Sequence, residues 1–184
     1  MKMQMKVISG AFHAVVWKVL YGNRIKIAFP QGLEKVTLEM DREARITLKA
    51  KIQNRGNLYM GCRKKGILEI GSHCFFNTNT SITCLEKITI GEYCKFGNNL
   101  VIVDHDHNFK EGNTAGTSKT TEEFTSREIT IGNRVWVGAN CVILKGVTIG
   151  NDAVVAAGSI VRKDIPAGAT YYEERRPVWR KMNE

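Results

Sequence analysis

From Ile131 to Ile160 the chain reads as five unbroken blocks of six residues, IGNRVW, VGANCV, ILKGVT, IGNDAV and VAAGSI, and Val161 opens a sixth. Each block starts with an aliphatic residue, often has Gly or Ala second, and places a small or β-branched residue fifth. A fixed internal period outranks local helix and strand signals, because it marks a repeat architecture. The expectation is an all-β solenoid.

The phase extends backwards. Met40, Ile46, Ile52, Leu58, Ile70, Phe76, Ile82 and Ile88 keep the spacing of six, and Lys64 is the position that fails. A second register runs through Ile90, Phe96 and Ile102. A strand advances ~3.3 Å per residue, so six residues of strand and bend cover one flat face, and three faces close a triangular coil of eighteen. Stacked coils bury the aliphatic anchors in one apolar column that no single repeat could bury alone.

The run VWVGANCVILKGVTIGNDAVVAAGSIVRKDIP resembles the hexapeptide-repeat acyltransferases, and within them the maltose, galactoside and polysaccharide O-acetyltransferases. The resemblance implies a left-handed parallel β-helix, although the common crossover rule favours the right hand. On this reading residues 1–23 are an N-terminal helical cap, 24–166 the β-helix with an ejected loop at 104–128, and 167–184 a C-terminal tail. That tail departs from the family, since YYEERRP stands where a turn of the form AGxPA is usual.

Composition narrows the alternatives. The length of 184 residues suits one domain, and 43% hydrophobic content suffices for a core. Nothing resembles a cleavable signal or a run of eighteen apolar residues, so a cytoplasmic location is expected. The five cysteines lack CxxC spacing, and Cys62, Cys74, Cys94 and Cys141 fall four residues after an anchor, where a small inward side chain belongs. The net charge of +9 is uneven: residues 1–66 hold 14 Lys and Arg against 4 Asp and Glu. Such an end is either a solvated face or one that attracts a polyanion or anionic lipid at the inner membrane surface. No groove-reading or aromatic-interleaved motif supports nucleic acid. Within Ala11–Tyr21, Phe12, Val15, Val16, Val19 and Leu20 recur at helical spacing before Gly22, which predicts a short capping helix over the end of the solenoid.

Between Ile102 and Ile131 the period is lost in a stretch rich in Gly, Ser and Thr, which predicts a long loop thrown out of the coil. Where it leaves stand His105 and His107, two apart, with Asp104 and Asp106 alternating. Metal ligation at this doublet would resemble the carbonic anhydrase-like branch of the same fold, which needs three histidines with two of them five apart, a spacing that His13 and His73 do not supply. General-base chemistry suits a neutral imidazole near pH 7. The segment GEYCKFGNNLVIVDHDH matches the resembled enzymes without a gap up to their catalytic histidine, which points to His107, with His105 as runner-up and Asp104 or Asp106 orienting either ring. The same register places Asn77 at an acceptor-binding position, where an amide offers both donor and acceptor. An asparagine ladder within the coil is the structural alternative, and Asn79 is equally eligible for it.

The resemblance further implies that Trp136 lines the channel for acetyl-CoA and that the backbone N–H of Ala139 meets the oxyanion. It implies that Ala157 and Gly158 leave room for the pantetheine arm, and that Lys163, with Arg162, attracts the phosphates. The expected activity is acetyl-CoA-dependent O-acetylation of a sugar or polysaccharide hydroxyl by a homotrimer, without metal. The alternatives are N-acetylation of an amino sugar and a non-catalytic trimeric solenoid module.

Overall fold

A computed structural model describes residues 2–108 and 124–174, with side chains from Ser9 onward. Three parallel sheets of six strands each wrap around one core, forming the faces of a prism of about six turns. The first face holds Ile25–Ile27, Arg45–Leu48, Ile67–Ile70, Lys87–Ile90, Ile129–Ile131 and Thr148–Ile149. The second runs from Gln53–Asn54 to Thr170–Tyr171, and the third from Val36–Met40 to Ile160–Val161. The chain visits the faces in the order first, second, third. This is the parallel β-solenoid expected from the repeat, and it is consistent with the left-handed β-helix that the resemblance implies.

Register explains the period. Leu48, Ile70, Ile90, Ile131 and Ile149 lie in line across the first face, and all are buried. Met60, Ile82, Ile102, Ile143 and Val161 form the matching column on the third face. On the second, Phe76 and Phe96 stack at 4.7 Å between ring centroids, above the buried Asn54. The coil of eighteen holds only toward the C-terminus. Ile131 and Ile149 are eighteen apart, whereas Leu48, Ile70 and Ile90 are separated by twenty-two and then twenty residues. The extra length lies between Met60 and Ile70 and between Ile82 and Ile90, where the third-face strands Leu58–Cys62 and Thr80–Cys84 and the first-face strands Ile67–Ile70 and Lys87–Ile90 are longer than their C-terminal counterparts.

The corners impose their own residue choices. Gly71, Gly91, Gly132 and Gly150 stack between the first and second faces, and a Cβ added at Gly91 would lie 2.6 Å from the backbone of Gly132. Asn79, Asn99 and Asn140 hold φ of 57°, 56° and 58° between the second and third faces. Their side chains form a ladder, Asn79 Nδ2 donating to Asn99 Oδ1 at 3.1 Å and Asn99 Nδ2 to Asn140 Oδ1 at 2.8 Å. Asparagine suits both demands, because it tolerates the left-handed region and carries a donor and an acceptor.

The helix is longer than expected and turned the other way. It spans Lys2–Tyr21, and it caps the solenoid with Ala14 and Trp17, which are buried. Of the five residues whose spacing predicted the helix, Phe12, Val15, Val19 and Leu20 are exposed instead and Val16 is half-buried. The helix is apolar on both sides, so periodicity identified a helix but not which side packs.

Candidate functional site

The ejected segment leaves the corner between the third and first faces, and its base is ordered. His105–His107 pairs antiparallel with Phe124–Ser126, and the N–H of Arg127 donates to the carbonyl of Asp104 at 2.9 Å as the chain re-enters the coil. The expected loop at 104–128 is therefore a two-stranded arm at its root, and Asp104 itself belongs to the coil. Residues 109–123 lie outside the described residues.

Asp104 is fully buried, and its carboxylate is satisfied. It accepts from the N–H of Leu85 at 2.8 and 3.0 Å, from the N–H of Glu86 at 2.8 Å, and pairs with Nδ1 of His105 at 2.9 Å. Burial of a carboxylate is tolerable only with such a complement of donors. A proton on Nδ1 toward Asp104 leaves Nε2 of His105 as the basic nitrogen, the usual consequence of a carboxylate behind an imidazole. Asp106 points elsewhere, to Nζ of Lys145 at 2.9 Å. Lys145 also donates to Oγ1 of Thr125 at 2.5 Å, so one cation on the next coil clamps both strands of the arm.

Phe124 faces both histidines. Its ring meets His105 edge-on at 5.4 Å and His107 tilted at 4.6 Å, with Nζ of Lys64 at 5.2 Å from its centroid. Val103, His105, Asp106, His107, Asn108, Thr125 and Lys145 line an open cleft beside it. Phe124 and Lys145 were missed in the sequence. The alternation of FTSREITI marks a strand before Ile131, but nothing local pairs that strand with HDH across the intervening residues.

The other expected site residues lie at different places on the same chain. Trp136 projects from the second face and is exposed. Asn77, Ala139, Ala157 and Gly158 sit at or next to the corner between the second and third faces. There Gly158 N–H donates to the carbonyl of Ala139 at 2.7 Å, and Asn77 Oδ1 accepts from the N–H of Thr78 at 3.0 Å. The asparagine ladder runs through Asn79, and Asn77 caps its own turn beside it. Arg162 and Lys163 are exposed at the histidine corner, Arg162 within 3.9 Å of Glu173. Arg175 and Arg176 of the divergent tail fall outside the described residues.

Across the third face the two corners are a five-residue strand apart, about 17 Å at ~3.3 Å per residue. No side chain at one corner reaches the other. The cysteines add no nucleophile to either: all five are buried and free. The Cys84 thiol is pushed well above its ordinary range by its hydrogen bond to Cys62 and then by burial, and Cys74 likewise by Cys94 and burial. Among the described residues no cluster of three or more His, Cys, Asp or Glu is placed to hold a metal ion.

Similarity to known proteins fits this geometry. Residues 128–163 match the family model described as bacterial transferase hexapeptide (six repeats). Nodulation protein L of Rhizobium meliloti (strain 1021) is 42% identical over 103 residues, 55% of this chain and 53% of that protein. WbbJ of Escherichia coli (strain K12), assigned to lipopolysaccharide biosynthesis as an O-acetyl transferase, is 32% identical over 106 residues, 55% of this chain and 54% of its own. The chain spans about half the length of the curated relatives it matches. A galactoside acetyltransferase in complex with coenzyme A superposes with a TM-score of 0.52 at 25% identity, covering 92% of this chain and 71% of that one. Residues 128–163 thus carry the bacterial transferase hexapeptide repeat, and the chain as a whole has the fold seen in hexapeptide-repeat acetyltransferases.

Proposed function

We propose that this protein transfers an acetyl group from acetyl-CoA to a hydroxyl of a sugar or polysaccharide precursor. The observation that carries the reading is the pair of imidazoles at the root of the arm, held over an open cleft by Phe124, with a buried carboxylate behind one of them. A hydroxyl needs a base at neutral pH to attack a thioester, and an imidazole in a cleft supplies one. His107 takes the proton, the oxygen attacks the acetyl carbonyl, and the N–H of Ala139 receives the oxyanion. Collapse of the tetrahedral species expels the thiolate of coenzyme A, which the imidazolium protonates. No acyl-enzyme is needed.

The separation of the two corners supports a cyclic trimer in which the histidine corner of one subunit faces Asn77, Trp136 and Ala139 of the next. Asn77 then orients the acceptor, Trp136 walls the thioester, Ala157 and Gly158 let the pantetheine arm lie against the coils, and Lys163, aided by Arg162, draws in the phosphates. The Asp104 contact favours a second assignment, with His105 as the base. In both assignments the chemistry is the same.

The test is thiol release from acetyl-CoA across a panel of mono- and oligosaccharides, amino sugars included, with the product treated with hydroxylamine. Acceptor-dependent release of a hydroxylamine-labile ester is the expected result. A stable amide would assign N-acetylation of an amino sugar, and no release with any acceptor would leave a binding or assembly module.

A further inference from the structure

The N-terminal helix carries more apolar surface than a cap requires. Ala14 and Trp17 face the solenoid, and Gly10 packs so closely on the backbone of Gln31 that a Cβ there would lie 2.5 Å from its carbonyl oxygen. On the opposite side Phe12, Val15, Val19 and Leu20 are 68%, 61%, 79% and 62% exposed. The spacing i, i+3, i+7, i+8 makes them one stripe. A capping element ordinarily turns a polar face to water, and a continuous apolar stripe on a surface marks a site of contact.

The neighbouring surface says what kind of contact. Arg24, Arg42, Arg45 and Lys65 line a cleft with Glu43 and Ile67 at the first coils. Arg24 joins that cleft to the helix: its Nε donates to the carbonyl of Tyr21 at 3.2 Å and its Nη1 to that of Asp41 at 2.9 Å. Residues 1–66 hold 14 Lys and Arg against 4 Asp and Glu, while the rest of the chain is nearly neutral. A second copy docked on this stripe would bring the same excess of positive charge against it. An anionic surface that is apolar just beneath satisfies both features at once.

We propose that the outer face of this helix and the basic first coils form a docking surface for an anionic lipid bilayer, with the helix lying in the headgroup plane. No described helix is long and apolar enough to cross a membrane. The inference does not depend on the transferase reading, since no residue of the histidine cleft or of either corner site takes part in it.

Co-sedimentation of the full chain with vesicles tests it, comparing phosphatidylcholine alone with equal parts phosphatidylcholine and phosphatidylglycerol. Partitioning onto the anionic vesicles is expected to exceed that onto the neutral ones by about tenfold or more and to collapse at high salt. The double variant Phe12→Ser with Val19→Ser should lose about tenfold, and Arg42→Gln with Lys65→Gln about fivefold per cation. All four side chains are exposed, so circular dichroism should show an intact fold. Equal partitioning onto both vesicles, or none, would overturn the proposal. So would a fall in oligomeric mass in the Phe12→Ser, Val19→Ser variant with lipid binding unchanged, which would give the stripe to a second copy.

Discussion

Two corners of the same prism follow different rules. Between the second and third faces three successive coils repeat a solution: Asn79, Asn99 and Asn140 share one backbone conformation and one ladder, and Gly97 and Gly138 let the turns stack on Ala139 and Ala157. Between the third and first faces a single coil breaks the pattern, burying Asp104, expelling the arm and placing two histidines at its root. Repetition there would be costly, because each buried carboxylate demands its own set of donors. The lesson is that a solenoid spends its period on stacking and confines chemistry to the coil where the period fails.

The largest expected effect tests the irregular corner. His107→Ala should lower kcat by about 10²- to 10⁴-fold, the loss expected for a general base, with the melting temperature unchanged because the ring lies outside the core. His105→Ala should cost much less. The reverse ranking in steady-state assays would make the Asp104-held imidazole the base. Next comes the clamp: Lys145→Ala frees both strands of the arm and should lower kcat by roughly ten- to a hundredfold through misplacement of the histidines. An unchanged kcat would show that the arm is held without it.

The asparagine ladder at the regular corner should respond in stability rather than activity. Asn99→Ala forces an alanine to φ near 56° and cuts the ladder in its middle, a loss of about 1–2 kcal/mol in urea unfolding. Asn99→Gly should recover most of it. If both variants lose the same amount, the ladder and not the backbone conformation stabilises this corner. The smallest effect is expected at the exposed end of the histidine corner, where Lys163→Ala should raise the KM for acetyl-CoA severalfold with kcat little changed. Added salt should mimic it, since it screens a phosphate contact.

How much of this the sequence contains depends on whether a feature is periodic. The columns of Ile70, Ile90, Ile131 and Ile149, the inward cysteines and the outward Trp136 all follow from the spacing of anchors, because one register fixes the direction of every side chain in a coil. Coil length did not follow, since the longer strands of the early coils preserve the anchors while lengthening the path. The packing side of the helix did not follow either: with Trp17 and Phe12 on opposite sides, hydrophobic spacing has two solutions. At the site, His105, His107 and Asp104 were legible as the point where the period stops. Phe124 and Lys145 were not, because a contact between strands separated by a long excursion leaves no local pattern.

The central claim is that the two corners complete one site between neighbouring chains, and subunit complementation tests it most directly. His107→Ala chains keep the wall of Trp136, and Trp136→Ala chains keep the base, so each variant alone should be nearly inert. In co-expressed mixed trimers, random assembly in equal amounts pairs an intact base with an intact wall at about a quarter of the sites. The account predicts that acetyl-CoA turnover returns to about that fraction of the wild-type rate. A mixture no more active than its parents would contradict it, and would place base and wall in the same chain.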